Sequence, residues 1–353
     1  MSLAVFLLFI VVYTLFGSRI QFHLIMSEVG SHLRMLSRMR QILLARVTEF
    51  IRKNAKDDTD VEGFVSTMTD YFVVEPVSLD PSGVVWKLEH LIRTAETHLE
   101  NSVRGVLANP CEDLVKRATY MIEVARAFSA IHKIVNHFYI LARKTNNLFI
   151  AMQLHFMLPL IAREANALFN AVQAFELRIP IGDGAGVLAV SHLVTRDAPY
   201  RTIARHTICY ETSINGRPAF IIRPKGPEGN TGELGRAVEH VLAEIAPSAI
   251  ITVDAAVKLE GEKTGSIAIG TGVAIGGVGV QRFRIEEIAS KHHVPCYAIV
   301  IKMSSSEALL PMNEAIAEAS RKAAAAVEQL VSSLPVGEPV VVVGVGNSLG
   351  IGV

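Results

Sequence analysis

The chain has 353 residues, of which half are hydrophobic, and its 34 basic residues balance its 34 acidic residues to a formal net charge of zero. Nucleic-acid-binding proteins usually carry a basic excess, so this balance argues against a nucleic-acid partner. The three cysteines lie far apart without a CxxC spacing, which argues against disulfides and against a zinc site.

The first predicted element is a membrane anchor over residues 1–26. The run from Leu3 to Phe16 is apolar except for Thr14, and as a helix it covers about 21 Å of the ~30 Å hydrocarbon core. Apolar residues continue to Met26, so a longer or tilted helix spans the bilayer. No basic residue precedes the run and several arginines follow it. This pattern favours an uncleaved, single-pass anchor in the cell membrane with the bulk of the chain cytoplasmic; a signal peptide or a buried core helix are the alternatives.

Residues 27–178 are predicted to form a helical region. Apolar residues recur at three- and four-residue steps over 31–54, 85–107, 113–144 and 147–175. The first of these helices offers about two heptads of a coiled-coil seam, so a homo-oligomer is an alternative to packing within one chain. The stretch from Leu148 to Ala162 is nearly apolar. We expect it to be a buried central helix rather than a second membrane segment, because it is short and contains Gln153 and His155.

Residues 179–353 are predicted to form an α/β domain with a doubly wound, mostly parallel sheet. Asn215-Gly216 between two apolar runs predicts a hairpin. Further strands are predicted at 250–253, ending at Asp254, at 296–301, ending at Lys302, and at 339–343. Helices are predicted between them, over 233–245, 283–291 and 307–332. Strands that alternate with helices in this way indicate a parallel sheet covered on both faces.

Two aspartates are the candidate catalytic residues. Asp254 follows an apolar strand, and ligands of open α/β sheets bind beyond the carboxyl ends of strands. Asp183 lies in the glycine turn Pro180 to Gly186. Two carboxyl groups that meet in a cleft can act as an acid–base pair, or they can bind a divalent cation. For Asp183 the alternative role is to cap backbone N–H groups of its turn. No residue is assigned as a metal ligand and no cofactor is predicted.

A second candidate site would bind an anion through glycine-loop N–H groups and lysines. None of the glycine motifs has the spacing and context of a nucleotide-binding loop, and each lysine alone is more often a solvated surface residue. The candidate ligand-binding residues are Lys225, Lys258, Lys263, Thr264, Gly276, Gly277, Gly279, Lys302 and Asn347.

Three strings, VDAAVKLEGEKTG, AIGGVGVQRFRIEE and GVGNSLGIGV, resemble an archaeal family catalogued as domain of unknown function 1512. That resemblance covers essentially the whole chain, and it implies an archaeal source but no activity.

The second half also resembles the spore germination protease. The likeness rests on IITVDAAVK around Asp254, on the glycine-rich segment 270–279, on VPCYAIVIKMSSSEA, and on the turn that holds Asp183. It implies a phosphorylase/hydrolase-like fold in which Asp183 and Asp254 match the two aspartates of an aspartic-type peptidase. Hydrogenase-maturation proteases share that fold and use acidic residues to sense nickel, but no histidine here matches their nickel ligand.

One departure from that family leads to a specific hypothesis. In those proteases a Gly-x-Gly-Asn strand end comes immediately before the first acidic turn, whereas here Gly344-Val345-Gly346-Asn347 comes last in the chain. A circular permutation would bring Asn347 beside Asp183.

Taken together, these features of the sequence predict a membrane-anchored, peptidase-like hydrolase that acts on a peptide or small molecule. The alternative is a non-catalytic membrane-associated protein that binds an anionic small molecule through the glycine loops and lysines.

Overall fold

A computed structural model describes residues 3–74, 76, 83–195, 197–277, 279–335 and 337–352, with side chains from residue 17 onward. The first half is helical. Its helices in the described segments are α1 (Leu3–Arg52), α2 (Val61–Asp70), α3 (Val84–Val106), α4 (Glu112–Thr145) and α5 (Leu148–Leu177). The three longest helices pack on one another, and the core they enclose includes Val47, Phe128 and Val172. The predicted helical region is therefore present.

Helix α1 is a single helix of 50 residues, which at 1.5 Å per residue is about 75 Å long. It joins the predicted anchor and the predicted amphipathic segment without a break. The side chains of residues 1–16, on which most of the anchor prediction rests, lie outside the described residues.

Helix α5 differs from the buried central helix that we expected. One of its faces is buried through Ala151, Leu154 and Leu158, but Phe149 and Phe156 on the other face are 67% and 72% exposed. Of the helices described with their side chains, α5 alone is long and apolar enough to cross a membrane. Length and composition by themselves are weak evidence for a span, because core helices of soluble proteins have them too.

The second half is an α/β domain with one seven-stranded sheet in the order β1-β2-β3-β7-β4-β6-β5. Its strands are β1 (Tyr200–Ala204), β2 (Thr207–Ile214), β3 (Arg217–Pro224), β4 (Ala249–Val257), β5 (Ile267–Thr271), β6 (Cys296–Met303) and β7 (Val340–Gly344). The central pairs β3–β7, β7–β4 and β4–β6 are parallel. The outer pairs β1–β2, β2–β3 and β5–β6 are antiparallel. The sheet is therefore mixed rather than mostly parallel.

Helices cover both faces of the sheet. They are α6 (Ala185–Ser191), α7 (Leu234–Glu244), α8 (Val280–Lys291), α9 (Ser305–Leu309) and α10 (Glu314–Ser333). Helices α6 and α10 pack on one face with Ile251 and Val342, and α7 and α8 pack on the other with Ile250 and Val343. Alternating side chains of the same strands thus supply two separate cores, which is why the central strands are apolar throughout.

Two strands extend further than their sequence pattern indicates. Strand β4 does not stop at Asp254 but continues to Val257, and β6 continues through Lys302 to Met303. The two strands pair along their whole length, with Asp254 opposite Val300 and Ala256 opposite Lys302. The single helix predicted over 307–332 is interrupted between α9 and α10, where Ile181 forms a β-bridge with Pro311.

Candidate functional site

A cavity of about 450 Å³ lies between the helical half and the α/β domain. Its helical wall comes from α3 and α4. Its other wall comes from the ends of β4 and β7, the segment 230–234, and the glycine loop that leads into α8. Asp183 and Asp254, the two predicted catalytic residues, both line this cavity. The two halves of the chain therefore build the site together.

Asp254 lies just beyond the point where β4 stops pairing with β7. Strand β7 ends at Gly344, which pairs with Val253, and the N–H of Val345 then donates to the carbonyl of Val253 at 2.9 Å. Beyond that point β4 has β6 as its neighbour on one side but has lost β7 on the other. Asp254 is the first residue of β4 in this gap, so its side chain reaches the cavity although the residue is only 5% exposed.

The glycine loop is held against β4 by side chains of that strand. The Gly276 N–H donates to Asp254 Oδ2 at 2.8 Å, and the Ala255 N–H donates to Oδ1 at 2.7 Å. The Ala274 N–H donates to the hydroxyl of Thr252 at 2.9 Å. Gly276, Gly277 and Gly279, which the sequence singles out, consequently line the cavity beside Asp254.

Asp183 lies in a one-turn 3-10 helix, Gly182–Gly184, directly before α6. This turn packs backbone to backbone against the ends of β4 and β7. A Cβ on Gly186 would lie 2.2 Å from the carbonyl oxygen of Val253, and a Cβ on Gly346 would lie 1.9 Å from the carbonyl oxygen of Asp183. A side chain at either position would push the turn away from the strands, so the glycines are what bring Asp183 to the cavity.

Asn347 lies beside Asp183, as the permutation hypothesis requires. Its backbone N–H donates to Asp183 Oδ2 at 2.9 Å. Its side-chain Oδ1 instead accepts from the N–H of Leu349 at 2.9 Å, which fixes the loop after β7. Asn347 thus contacts the candidate site through its main chain. Of the two oxygens of Asp183, only Oδ2 accepts a hydrogen bond within the described chain.

The environment raises the pKa of both aspartates. Burial, and then the negative charge of Asp183, raise the pKa of Asp254 to about 7 against the effect of the two backbone N–H donors. Burial also raises the pKa of Asp183, against the N–H of Asn347. Two like charges that share a buried site cannot both ionise easily, so the pair retains a proton up to about pH 7.

The predicted lysines are separated from this cavity. Lys302 forms an ion pair with Glu262, and the ammonium of Lys258 donates to the carbonyl of Glu262 at 3.0 Å. The Thr264 hydroxyl donates to Glu307 at 3.0 Å. None of these three residues lines the cavity, and neither do Lys225 and Lys263. The structure therefore brings the predicted glycines and aspartates together but not the predicted lysines.

The cavity is acidic. Seven carboxyl groups line it, against three basic side chains. The acidic residues are Glu89, Glu96, Glu100, Glu123, Asp183, Glu233 and Asp254, and the basic ones are Arg93, Lys116 and Arg205. His206 also lines it, and burial together with Lys116 and Arg205 lowers the pKa of His206 to about 4, so this side chain is neutral at pH 7.

The sequence did not reveal the acidic residues of the helical wall. Glu96 and Glu100 are four residues apart on α3, and Thr119 and Glu123 are four apart on α4, a spacing that equally suits a solvated helix face. Their place in a cavity wall depends on the α/β domain docking onto the helices. The one available signal was Lys116, a charge within a buried stretch of α4 that runs from Leu114 to Thr119.

A metal site is not evident in the described residues, where no group of three or more His, Cys, Asp or Glu side chains could hold a metal ion. A divalent cation between Asp183 and Asp254 would accordingly need ligands from water or substrate.

Two family models match the chain. The N-terminal domain model of the protein of unknown function DUF1512 matches residues 3–178, and the C-terminal domain model of DUF1512 matches residues 181–352. No functionally characterised protein and no solved structure matches the chain.

Proposed function

The chain belongs to the DUF1512 family over nearly its whole length, and on that premise we propose that it is a membrane-attached hydrolase of peptide-like bonds in which Asp183 and Asp254 act as an acid–base pair. The observation that carries the proposal is that both carboxyl groups line one cavity, with burial and the charge of Asp183 holding the pKa of Asp254 at about 7. A pair of carboxyl groups whose pKa values are pushed apart is the usual arrangement for acid–base chemistry near neutral pH.

The two aspartates divide the steps of hydrolysis between them. Asp183, the ionised partner, accepts a proton from a water molecule while the water oxygen bonds to the carbonyl carbon of the substrate. Asp254 gives its proton to the carbonyl oxygen. When the tetrahedral intermediate collapses, the C–N bond breaks, the leaving amine takes the proton from Asp183, and a hydroxyl of the intermediate returns a proton to Asp254. Water is added across the bond and the pair regains its starting protonation.

Hydrogen bonding supports these separate roles. Asp183 has an oxygen that accepts no hydrogen bond from the described chain, so it is available to a water molecule. Asp254 is fixed at both oxygens by backbone N–H groups, which orients its carboxyl group for proton transfer.

The competing function, anion binding by glycine loops and lysines, is disfavoured by the charges. The cavity has an excess of carboxyl groups, and Lys302 and Lys258 are engaged with Glu262 outside it. An anionic ligand in the cavity would meet repulsion from most of its walls.

The test uses the full-length protein in detergent, incubated with a proteome-derived peptide library in water enriched in ¹⁸O. Hydrolysis puts ¹⁸O into each new carboxyl terminus, which mass spectrometry detects. We expect labelled products with the wild type and at least about 100-fold less with Asp183→Asn or Asp254→Asn, since general acid–base catalysis contributes roughly 10²–10⁴-fold. Asp57→Asn, an exposed aspartate in the loop after α1, is the control. Equal labelling by all four proteins would contradict the proposal.

Attachment to the membrane is supported by apolar surface on and beside the part of α1 that follows residue 16. Phe22 and Met26 of α1 pack with Ala142 and Ala151, where α4 ends and α5 begins. Leu24 on α1 and Phe149 on α5 are each 67% exposed near this contact. A bilayer that holds residues 3–16 would cover these side chains.

Carbonate extraction of membranes tests this part of the proposal. We expect the full chain to stay in the pellet and a chain without residues 2–16 to be released. In that shortened chain, Phe149→Ser with Phe156→Ser should abolish residual binding to phosphatidylglycerol vesicles. Leu259→Ser removes an equally exposed apolar side chain of the α/β domain and should leave that binding unchanged.

A further inference from the structure

We propose that the helical wall of the cavity is a binding site for an organic cation, an ammonium or guanidinium group of the substrate, held by Glu96 and Glu123. The inference rests on the proposed function, because it assigns basic substrates to the proposed hydrolase. It does not depend on the aspartate pair for its contacts.

Two acidic residues of the cavity, Glu89 and Glu100, accept hydrogen bonds from cations. Glu100 accepts from Lys116 at 2.6 Å and from Arg205 at 3.0 Å. Glu89 accepts from Arg284 at 2.5 Å and from Arg236 at 3.2 Å. Hydrogen bonds from these cations lower the pKa of both glutamates. The negative charges of Glu89 and Glu100 are therefore balanced by these cations. Their ion pairs with the three arginines form an ionic contact between the helical half and the α/β domain.

Among the described residues, Glu96 and Glu123 have longer ion pairs and no hydrogen bond from a cation. The nearest cations are Arg205 at 3.7 Å from Glu96 and Arg126 at 3.8 Å from Glu123, both longer than a hydrogen bond. Half of the Glu96 side-chain surface and 31% of that of Glu123 remain open. Burial raises the pKa of both groups. Each carboxylate is thus partly desolvated, partly open and only loosely paired, so a hydrogen-bonded cation would stabilise its charged form.

Two neutral side chains beside the glutamates provide the independent observation. Thr119 is 5% exposed and Asn230 is 3% exposed, and both line the cavity. The hydroxyl oxygen of Thr119 and the amide oxygen of Asn230 have no hydrogen-bond partner among the residues that the structure describes. The Asn230 amide orientation is fixed, since its Nδ2 donates to the carbonyl of Lys225 at 2.8 Å. Its buried oxygen is therefore a hydrogen-bond acceptor without a donor in the described part of the chain.

The unused groups define the chemistry of the ligand. Two carboxylates, an amide oxygen and a hydroxyl all accept hydrogen bonds, so the complementary ligand is a donor with positive charge. An ammonium or guanidinium satisfies several such acceptors at once. A bare metal ion would need more convergent ligands than the described carboxyl and histidine side chains provide.

The cation site and the aspartate pair lie on different walls of one cavity. Glu96 and Glu123 belong to α3 and α4 of the helical wall, whereas Asp183 and Asp254 belong to the wall from the α/β domain. At 450 Å³ the cavity is large enough for one extended side chain together with the bond to be cleaved. A lysine or arginine side chain of a peptide, bound at the helical wall, would thus hold the scissile bond beside the aspartate pair.

The experiment measures binding to the full-length Asp254→Asn protein by calorimetry at pH 7.5. The two probes are N-acetyl-lysine methylamide and N-acetyl-norleucine methylamide, which differ in the ammonium group. We expect the lysine probe to bind at least 10-fold more tightly. Glu96→Gln with Glu123→Gln should reduce this preference below 3-fold. Glu286→Gln, which removes an exposed acid paired with Arg282 outside the cavity, should leave it unchanged.

Several outcomes would overturn the inference: equal affinity for the two probes, no measurable binding of the lysine probe, or a preference that survives the double substitution. The glutamine variants are nearly isosteric and change side chains that are partly open to solvent, so circular dichroism should show them folded. Failure of the two proposals is distinguishable. Peptide cleavage without preference for basic residues refutes the cation site alone, whereas selective lysine binding without any cleavage refutes the hydrolase alone.

Discussion

The backbone N–H of Asn347 donates a hydrogen bond of 2.9 Å to the carboxylate of Asp183, across 164 positions of sequence. The contact joins the turn that opens the α/β domain to the loop that follows its last strand. It lies beside Asp254, so it completes one end of the acidic cavity.

Gly346→Ala should disrupt this junction. Gly346 has φ of +118°, and a Cβ there would lie 1.9 Å from the carbonyl oxygen of Asp183. We expect the free energy of unfolding to fall by at least about 2 kcal/mol from the combined strain and clash. Gly270→Ala is the matched control, because a Cβ there meets nothing within 4 Å. Urea denaturation compares the two, and equal stability would argue against the close approach.

Asp254→Asn should change how stability depends on pH. The pKa of Asp254 is raised to about 7 in the folded protein, from an ordinary value near 3.8. The folded state therefore binds the proton more tightly than the unfolded state, and the wild type loses stability as pH rises from about 4 to 7. The variant lacks this loss, so its advantage should grow over that window to a few kcal/mol at most, at about 1.4 kcal/mol per pKa unit. Urea titrations at pH 5, 6, 7 and 8 measure the difference. A wild type that gains on the variant with rising pH would contradict the assigned shift.

The same proton should govern activity. Because Asp254 acts as the acid, kcat/KM for peptide cleavage should fall about tenfold per pH unit above pH 7, as Asp254 ionises. Initial rates from pH 5 to 9 under subsaturating substrate give the profile. A rate that instead increased through pH 7 would mean that the ionised form of Asp254 is the active one.

Lys116→Met should destabilise the protein by about 1.5–3 kcal/mol, since the buried Glu100 loses its hydrogen bond from Lys116 and keeps only the one from Arg205. Lys133→Met is a matched control: its ion pair with Asp70 has the same 2.6 Å length, but both side chains are more than half exposed. Removal of an exposed pair costs about 0.2–1 kcal/mol. Adding Glu100→Gln to Lys116→Met should restore part of the stability, which a double-mutant cycle quantifies.

Local patterns in the sequence were enough to predict most elements of the fold. The apolar runs of β4, β6 and β7 and the Asn215-Gly216 hairpin all appear close to their predicted positions. The edge strands β1 and β5 were not predicted, because β1 is largely exposed and β5 ends in the exposed residues Ile269 to Thr271. Edge strands pair on one side only and need less apolar surface, so their sequence signal is weak.

The prediction that β4 ends at Asp254 was wrong for a physical reason. A charged residue usually marks the point where a strand meets solvent, but here backbone N–H groups of Ala255 and Gly276 satisfy the carboxylate inside the fold. The convergence of Asp183 and Asp254 was predicted through a family resemblance. The acidic helical wall was not, since it depends on long-range docking that helix periodicity does not encode.

Strand β7 lies in the middle of the sheet, between β3 and β4, yet both of those neighbours precede it in the chain. The ribosome therefore synthesises all the other strands of the sheet before β7, the strand that joins β3 to β4. Until β7 inserts, the sheet remains divided into two parts with unpaired edges, and Asn347 is not beside Asp183. The chemistry that we propose for the cavity would consequently be withheld from the nascent chain until synthesis has passed residue 347.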